Sequence, residues 1–557
     1  MSGWELLLRG AHLIDGSGAP AVSADVAIAD GRIAAVGSLD PGQAAQVRDL
    51  DGLALAPGFI DVHTHDDRLL LSDPGMAPKV SQGVTTVIVG NCGISLAPLG
   101  AREPVPPINL VADDDGERFD SFADWFAALD ARPSAGNCAA LVGHTTLRVR
   151  TMSALDRPAS DDEIAAMQAL VREALAAGAI GASTGTYYGP ASAATADEIR
   201  RVLEPMRGSG ALIASHIRDE TDDVLPAMQE AFGIAAELGV RQVISHHKLA
   251  GKANFGRSSE TLALFDATRK RADVCLDCYP YAASSTILRR DAASIAASTL
   301  VTWSTPRPEF AGRYLADIAA ELGVEAAAAI DLLQPAGAIY FMMDEADVER
   351  ILAYPETMVG SDGLPHDLFP HPRLWGAFPR VLGHYSRERR LFPVETAVRK
   401  MTGLSADRFG LAGRGYVRPG CAADLVVFDP DKVADTATFA QPVSPANGIV
   451  SVYVNGRETW TVAGHTVAVD HVDDLELLVV KRVGARRAAV LDHDHLEALV
   501  GQAAHRRGYA LVGEDAAADH GADAQVVQDE PQVAAGERRI GGLGDHDLVA
   551  PGRQLGH

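Results

Sequence analysis

Short unbroken apolar runs recur through the middle of the chain, at Gly58–Val62, Val84–Gly90, Ala139–Gly143, Ala179–Ser183, Leu212–Ser215, Gln242–Ser245, Asp273–Leu276 and Thr357–Gly360. Between them lie longer amphipathic stretches, among them Phe122–Leu129, Asp161–Ala177, Ala196–Arg207, Asp223–Leu238 and Glu260–Arg271. Apolar runs without polar alternation predict strands buried on both faces, and the longer stretches predict helices. Eight such strands separated by helices predict an α/β fold over 58–412: a parallel (β/α)8 barrel of the TIM type. The interval between Tyr281 and Glu356 is too long for one barrel helix, which predicts an inserted subdomain over about 285–345 at the barrel mouth.

The flanks have a different texture. Leu6–Leu8, Val26–Ala29 and Arg32–Val36 are short apolar runs separated by Asp15-Gly16, Asp30-Gly31 and Asp51-Gly52. Late in the chain, Asp424–Asp429 and Ile449–Val454 repeat the pattern, closed by Asn455-Gly456. Both read as strands and hairpins. Segments 1–57 and 413–470 therefore predict one small β-sandwich domain built from both ends of the core. After about 470 the character changes again: seven of the 18 histidines lie from His471 onward, among Ala, Asp, Gly and Arg. This predicts a poorly ordered appendage over 471–557.

Composition removes several functions. Lys plus Arg number 49 and Asp plus Glu 74, a net charge of −25, which argues against a nucleic-acid or anionic-membrane partner. No apolar run is long enough to span a bilayer, and the N-terminus lacks the features of a secretory leader. Five cysteines in 557 residues are not a disulfide framework, so a cytoplasmic setting is expected.

Chemistry gathers where a barrel's strands end. Here the runs lead into His63, Asn91-Cys92, His144, Thr184, His216, His246, Tyr279 and Asp362. His63 and His65 are two apart in an extended segment, so both imidazoles can face the mouth as metal ligands. His216 and His246 end neighbouring strands and can share one metal. His247 competes with His246, since consecutive strand residues face opposite ways. Cys92 with His216 and His246 makes three protein ligands and an open position, the pattern of a catalytic zinc. Asp362, ending the last strand, is placed to act as general base and then acid. Cys275-x-x-Cys278 lies within a strand, where its sulfurs face different ways, and is read as packing.

Together these residues resemble the amidohydrolase superfamily and, within it, the N-acyl-D-amino-acid deacylase (D-aminoacylase) family. The segments that carry the likeness include Pro57-Gly-Phe-Ile-Asp-Val-His-Thr-His-Asp-Asp67, Gly90-Asn-Cys-Gly93, Ser215-His-Ile-Arg-Asp-Glu220, Ser245-His-His-Lys248, Tyr279-Pro-Tyr281, Gly360-Ser-Asp-Gly363 and His371-Pro-Arg-Leu-Trp375. The resemblance covers about 1–470. It implies a zinc enzyme that hydrolyses N-acyl-D-amino acids, with a tight zinc on Cys92, His216 and His246. A second, weaker metal position would use His63, His65 and Asp362. The fourth strand lacks the Lys with which much of the superfamily bridges two metals, and Cys92 stands in its place. D stereochemistry follows from the resemblance alone. The small-molecule substrate's α-carboxylate needs cations or hydroxyls, for which Lys248, Arg373, Tyr279 and Tyr281 are candidates; Arg289 would meet an acidic side chain. The rival readings are a cyclic-amide hydrolase of the hydantoinase or dihydroorotase kind, and a non-catalytic homologue. Acyl length, side-chain preference, metal count and oligomeric state stay open.

Overall fold

The computed structural model describes residues 3–112 and 116–466; the appendage expected over 471–557 lies outside the described residues. Eight parallel strands form the barrel: β1 (Phe59–Asp61), β2 (Val84–Val89), β3 (Asn137–Gly143), β4 (Gly181–Gly185), β5 (Leu212–His216), β6 (Arg241–Ile244), β7 (Val274–Cys278) and β8 (Thr357–Val359). They pair consecutively from β1 to β8. The seam closes just beyond the ends of β1 and β8, where Asp362 N–H donates to the His63 carbonyl at 2.8 Å and Thr64 bridges Gly363.

The apolar runs are explained by burial on both strand faces. Ile60, Ile88, Leu141, Leu212, Val243, Cys275 and Met358 fill the barrel interior. Their alternates, such as Val87, Val142, Ile213, Ile244 and Leu276, face the helices, as the two-residue period of a strand requires. The helices follow their sequence signals. Asp161–Ala177 starts with a capping box of Ser160 and Glu163 and buries Ile164, Met167, Val171 and Ala174 along one stripe. Among the described residues no helix is long and apolar enough to cross a membrane.

The flanking strands form a nine-stranded sheet in which Ala54–Pro57 lies antiparallel to Leu425–Phe428. Alternation again sorts the side chains: Ala54, Ala56, Val426 and Phe428 join the main core, while Leu55, Leu425 and Val427 join a second core within the sheet domain. Between β7 and β8, Ser284–Ile287, Ala336–Phe341 and Ser298–Ser304 make an antiparallel three-stranded sheet with Ala336–Phe341 in the middle. Its own core includes Val301, Phe310, Ile318, Leu333 and Tyr340. This inserted unit is tied to the barrel mouth by Gly251 N–H to the Met342 carbonyl at 2.8 Å and Phe369 N–H to the Thr302 carbonyl at 3.0 Å.

Candidate metal centre and active site

Side chains from five strand ends converge at the mouth. Cys92 Sγ stands 3.2 Å from His63 Nε2 and 3.2 Å from His246 Nε2. His246 Nε2 is 3.0 Å from His216 Nδ1. Asp362 Oδ1 lies 3.2 Å from His65 Nε2 and 3.6 Å from His63 Nε2. Donor atoms of His63, Cys92, His246 and Asp362 all fall within 4.8 Å of one another, and His216, Glu220 and His246 form a second such group. All of these side chains are buried. His247 is turned away and bonds Thr261 Oγ1 at 2.8 Å, so His246 is the member of the pair that enters the cluster.

Backbone conformation aims three of these groups. Cys92, His246 and Asp362 all have positive φ, at 54°, 35° and 51°, a region that residues with a Cβ avoid. The strands therefore end in abrupt turns. Two glycines flank Asn91-Cys92 with φ of 76° and 75°, and Asp67 holds that turn by accepting from Gly90 N–H and Leu96 N–H, each at 3.2 Å.

The electrostatics are mutual. Burial works to raise the Cys92 thiol's pKa, but His246 and His63 hold it well below the ordinary thiol value. Burial also opposes ionisation of Asp362, yet Arg373 and then His246 hold its carboxyl well below the usual carboxylate range. His65 is pushed up to about 9: burial works against its charge, and the Asp362 hydrogen bond overcomes it. One thiol and several imidazole nitrogens face each other at distances too short for all of them to be satisfied by hydrogen bonds, since a thiol carries one proton and a neutral imidazole one. A buried set of sulfur, imidazole and carboxylate donors fits a divalent ion of zinc's borderline softness.

A sequence profile of the amidohydrolase family matches residues 46–459. The chain belongs to the amidohydrolase family. It is 56% identical over 457 residues to a D-aminoacylase of Alcaligenes xylosoxydans xylosoxydans, covering 82% of this chain and 94% of the relative. An N-acyl-D-aspartate deacylase of the same organism is 55% identical, covering 82% and 92%. The N-acyl-D-glutamate deacylase of Bordetella bronchiseptica, solved with zinc and a phosphonate mimic of the reaction's tetrahedral intermediate, superposes with a TM-score of 0.79 at 47% identity over 82% of this chain and 96% of that one. An L-hydantoinase of Arthrobacter aurescens shares the fold alone, at 16% identity and a TM-score of 0.52.

In this amidohydrolase a narrow cleft leads to the cluster. Lys248 lines it, with Nζ 2.8 Å from His246 Nδ1 and paired to the Glu220 carboxylate. Arg373 stands beside Asp362 at the mouth. Its guanidinium is fully buried, with Nη1 2.8 Å from Asp362 Oδ2, Nη2 donating to the Ser285 carbonyl at 3.0 Å, and the Tyr279 ring 4.5 Å beneath. Tyr279 thus supports Arg373. Tyr281 lies further back, edge-on to His371 and 4.9 Å from Arg380. Arg289 stacks 4.2 Å over Tyr187 and pairs with Asp291. Tyr187 and Tyr188, which line the cleft and contact the His216 ring, were not among the sequence candidates. Their signal was position, directly after β4. Glu220 was also missed, although it sits four residues beyond His216 and 3.6 Å from its Nε2. The fourth strand, Gly181–Gly185, contains no Lys.

Proposed function

We propose that this amidohydrolase cleaves the linear amide of N-acyl-D-amino acids, giving a carboxylate and a free D-amino acid. The observation that carries the reading is the convergence of His63, Cys92, His246 and Asp362, with His216 against His246, at the bottom of a narrow cleft. In this reading Cys92, His216 and His246 hold a tight zinc, and His63 and His65 with Asp362 form a weaker second position. When bound, zinc supplies Lewis acidity, which polarises an amide carbonyl and acidifies water. Asp362 takes the proton from the attacking water and delivers it to the departing amine nitrogen. Arg373 holds the other carboxylate oxygen, so Asp362 meets substrate in one orientation. Lys248 is the cation lining the cleft and is assigned the substrate's α-carboxylate, with Tyr187 and Tyr188 as walls. Arg289, at Tyr187, would face a substrate side chain. D stereochemistry rests on the likeness to D-aminoacylase and its deacylase relatives. The free state of all five cysteines supports a cytoplasmic setting.

The test is zinc content of the purified protein alongside a panel of N-acetyl-D- and N-acetyl-L-amino acids and hydantoins. The expected result is bound zinc and amine release from D substrates. Ring opening of hydantoins without amine release would move the enzyme to the cyclic amides, and zinc-free protein with no hydrolysis would end the proposal.

A further inference from the structure

Behind the cluster stands a carboxylate that the reaction as written leaves without a role. Asp277 is on β7, two residues beyond Cys275, which packs inside the barrel, and the strand period carries Asp277 to the same interior side. It is buried beneath the metal centre. Its Oδ1 accepts from the backbone N–H of His246 at 2.8 Å and stands 3.4 Å from His63 Nδ1. Among the described residues, His63 Nδ1 is buried and makes no hydrogen bond, so the Asp277 carboxylate is the charge set against it. The Asp277 carbonyl also accepts from His247 N–H at 2.7 Å.

Two independent constraints thus meet on one residue. His246 sits at φ of 35°, strained for a residue with a Cβ. Its N–H at the turn is fixed by Asp277, which aims the ring at Cys92. An imidazole bearing its proton on Nδ1 presents a bare Nε2, and His63 Nε2 is the nitrogen that faces Cys92 and Asp362. A carboxylate at Nδ1 selects that tautomer. Glu220 lies 3.3 Å from His246 Nδ1, but it shares that nitrogen with Lys248 Nζ at 2.8 Å and touches only the β5 and β6 side of the cluster. Asp277 reaches across the barrel from β6 to β1.

We propose that Asp277 is a positioning residue for metal binding, fixing in one contact the His63 tautomer and the His246 backbone, and so joining the tight and the weaker metal positions. This rests on the zinc-hydrolase reading above. The experiment is zinc affinity by chelator competition on full-length protein, for Asp277→Ala and Asp277→Asn. Wild-type protein is measured first: if it neither binds zinc nor hydrolyses N-acyl-D-amino acids, the functional reading fails before Asp277 is judged. Asp277→Ala loses both contacts, and zinc affinity is expected to fall by about 10- to 100-fold. Asp277→Asn keeps an oxygen at the same place and loses only charge, so its affinity is expected to fall less, by roughly 3- to 10-fold. In a His63→Ala background the Asp277→Ala change is expected to cost less than in wild type, because one of its two contacts is already gone. General loosening of the barrel would cost the same in both backgrounds. Should Asp277→Ala fail to fold, Asp277→Asn and the coupling of Asn to His63→Ala carry the test. Wild-type zinc affinity in either folded variant, or equal losses in the two backgrounds, overturns the proposal.

Discussion

Three residues given chemical roles, Cys92, His246 and Asp362, occupy left-handed backbone, at a cost of about 1–2 kcal/mol each. Hydrogen bonds around the mouth hold them there. Asp362 shows what that placement yields. Its carboxylate is buried, ionised and held at one oxygen by Arg373. Asp362→Asn keeps the shape and one acceptor oxygen but cannot accept a proton. We expect kcat to fall by about 10²- to 10⁴-fold while zinc on Cys92, His216 and His246 stays in place, as read by steady-state kinetics and metal analysis on the same sample. Retention of wild-type turnover removes Asp362 from proton transfer. A second buried carboxylate is structural. Burial works to raise the Glu198 pKa, but hydrogen bonds from His144 and Arg148 bring it down from 4.5 to about 2. A depressed folded pKa contributes stability that is present above the unfolded value near 4.5 and lost as pH falls through about 2. The whole effect is worth about 3 kcal/mol. Glu198→Gln should therefore flatten the fall in urea-unfolding free energy between pH 5 and 3, and a slope equal to wild type's would show that this carboxylate is not the one titrating.

At the scale of elements, the strand ends are packed too closely for side chains. A Cβ on Gly185, the last residue of β4, would lie 2.0 Å from the Cys92 carbonyl oxygen, and one on Gly93 would lie 2.6 Å from Gly185 N. The turn that presents the sulfur thus rests against the end of β4. Gly185→Ala should push the 90–93 turn outward, lowering zinc affinity at least about tenfold and costing about 1–3 kcal/mol of stability. Chelator titration and thermal melts report both, and an unshifted zinc affinity would show that the turn yields without moving Cys92. The same packing explains which features were legible beforehand. The eight barrel strands were, because burial on both faces writes itself as continuous Val, Ile and Leu, and so was the insert, as surplus length. His63, His65, Cys92, His216, His246 and Asp362 were singled out because each follows such a run. Long side chains were less legible. Arg373 has the reach to clamp a substrate or to bond Asp362, and the sequence alone does not place its guanidinium against the Tyr279 ring and the Ser285 carbonyl of the insert. Tyr187, Tyr188 and Asp277 meet side chains distant in the chain, which spacing along one strand does not reveal, whereas Glu220 lies only four residues beyond His216.

At the scale of the whole molecule, a barrel is only as rigid as its last closure. Here β1 and β8 are three residues each, too short to zip the seam by backbone pairing alone. The closure is completed by a buried cation. Lys79 Nζ, from the short helix Ala77–Val80, donates to Asp61 Oδ2 at 2.8 Å on the β1 side and to Ser361 Oγ at 2.8 Å on the β8 side, with Asp66 Oδ2 at 3.3 Å. Asp61 Oδ1 in turn accepts from Ser361 N–H at 2.8 Å. The seam therefore joins the segment bearing His63 and His65 to the one bearing Asp362. Lys79→Met keeps much of the side chain's volume but strands the Asp61 and Asp66 carboxylates without their cation. Removing one partner of a buried pair typically costs about 3–5 kcal/mol, and that loss is expected in urea unfolding of the metal-free protein. Because the seam's two sides carry His63, His65 and Asp362, the residues proposed for the weaker metal position, the variant should also need more zinc to fill that position, while the site proposed on Cys92, His216 and His246 is affected less. A Lys79→Met protein as stable as wild type, with both metal positions filling normally, would mean that backbone pairing alone closes the barrel.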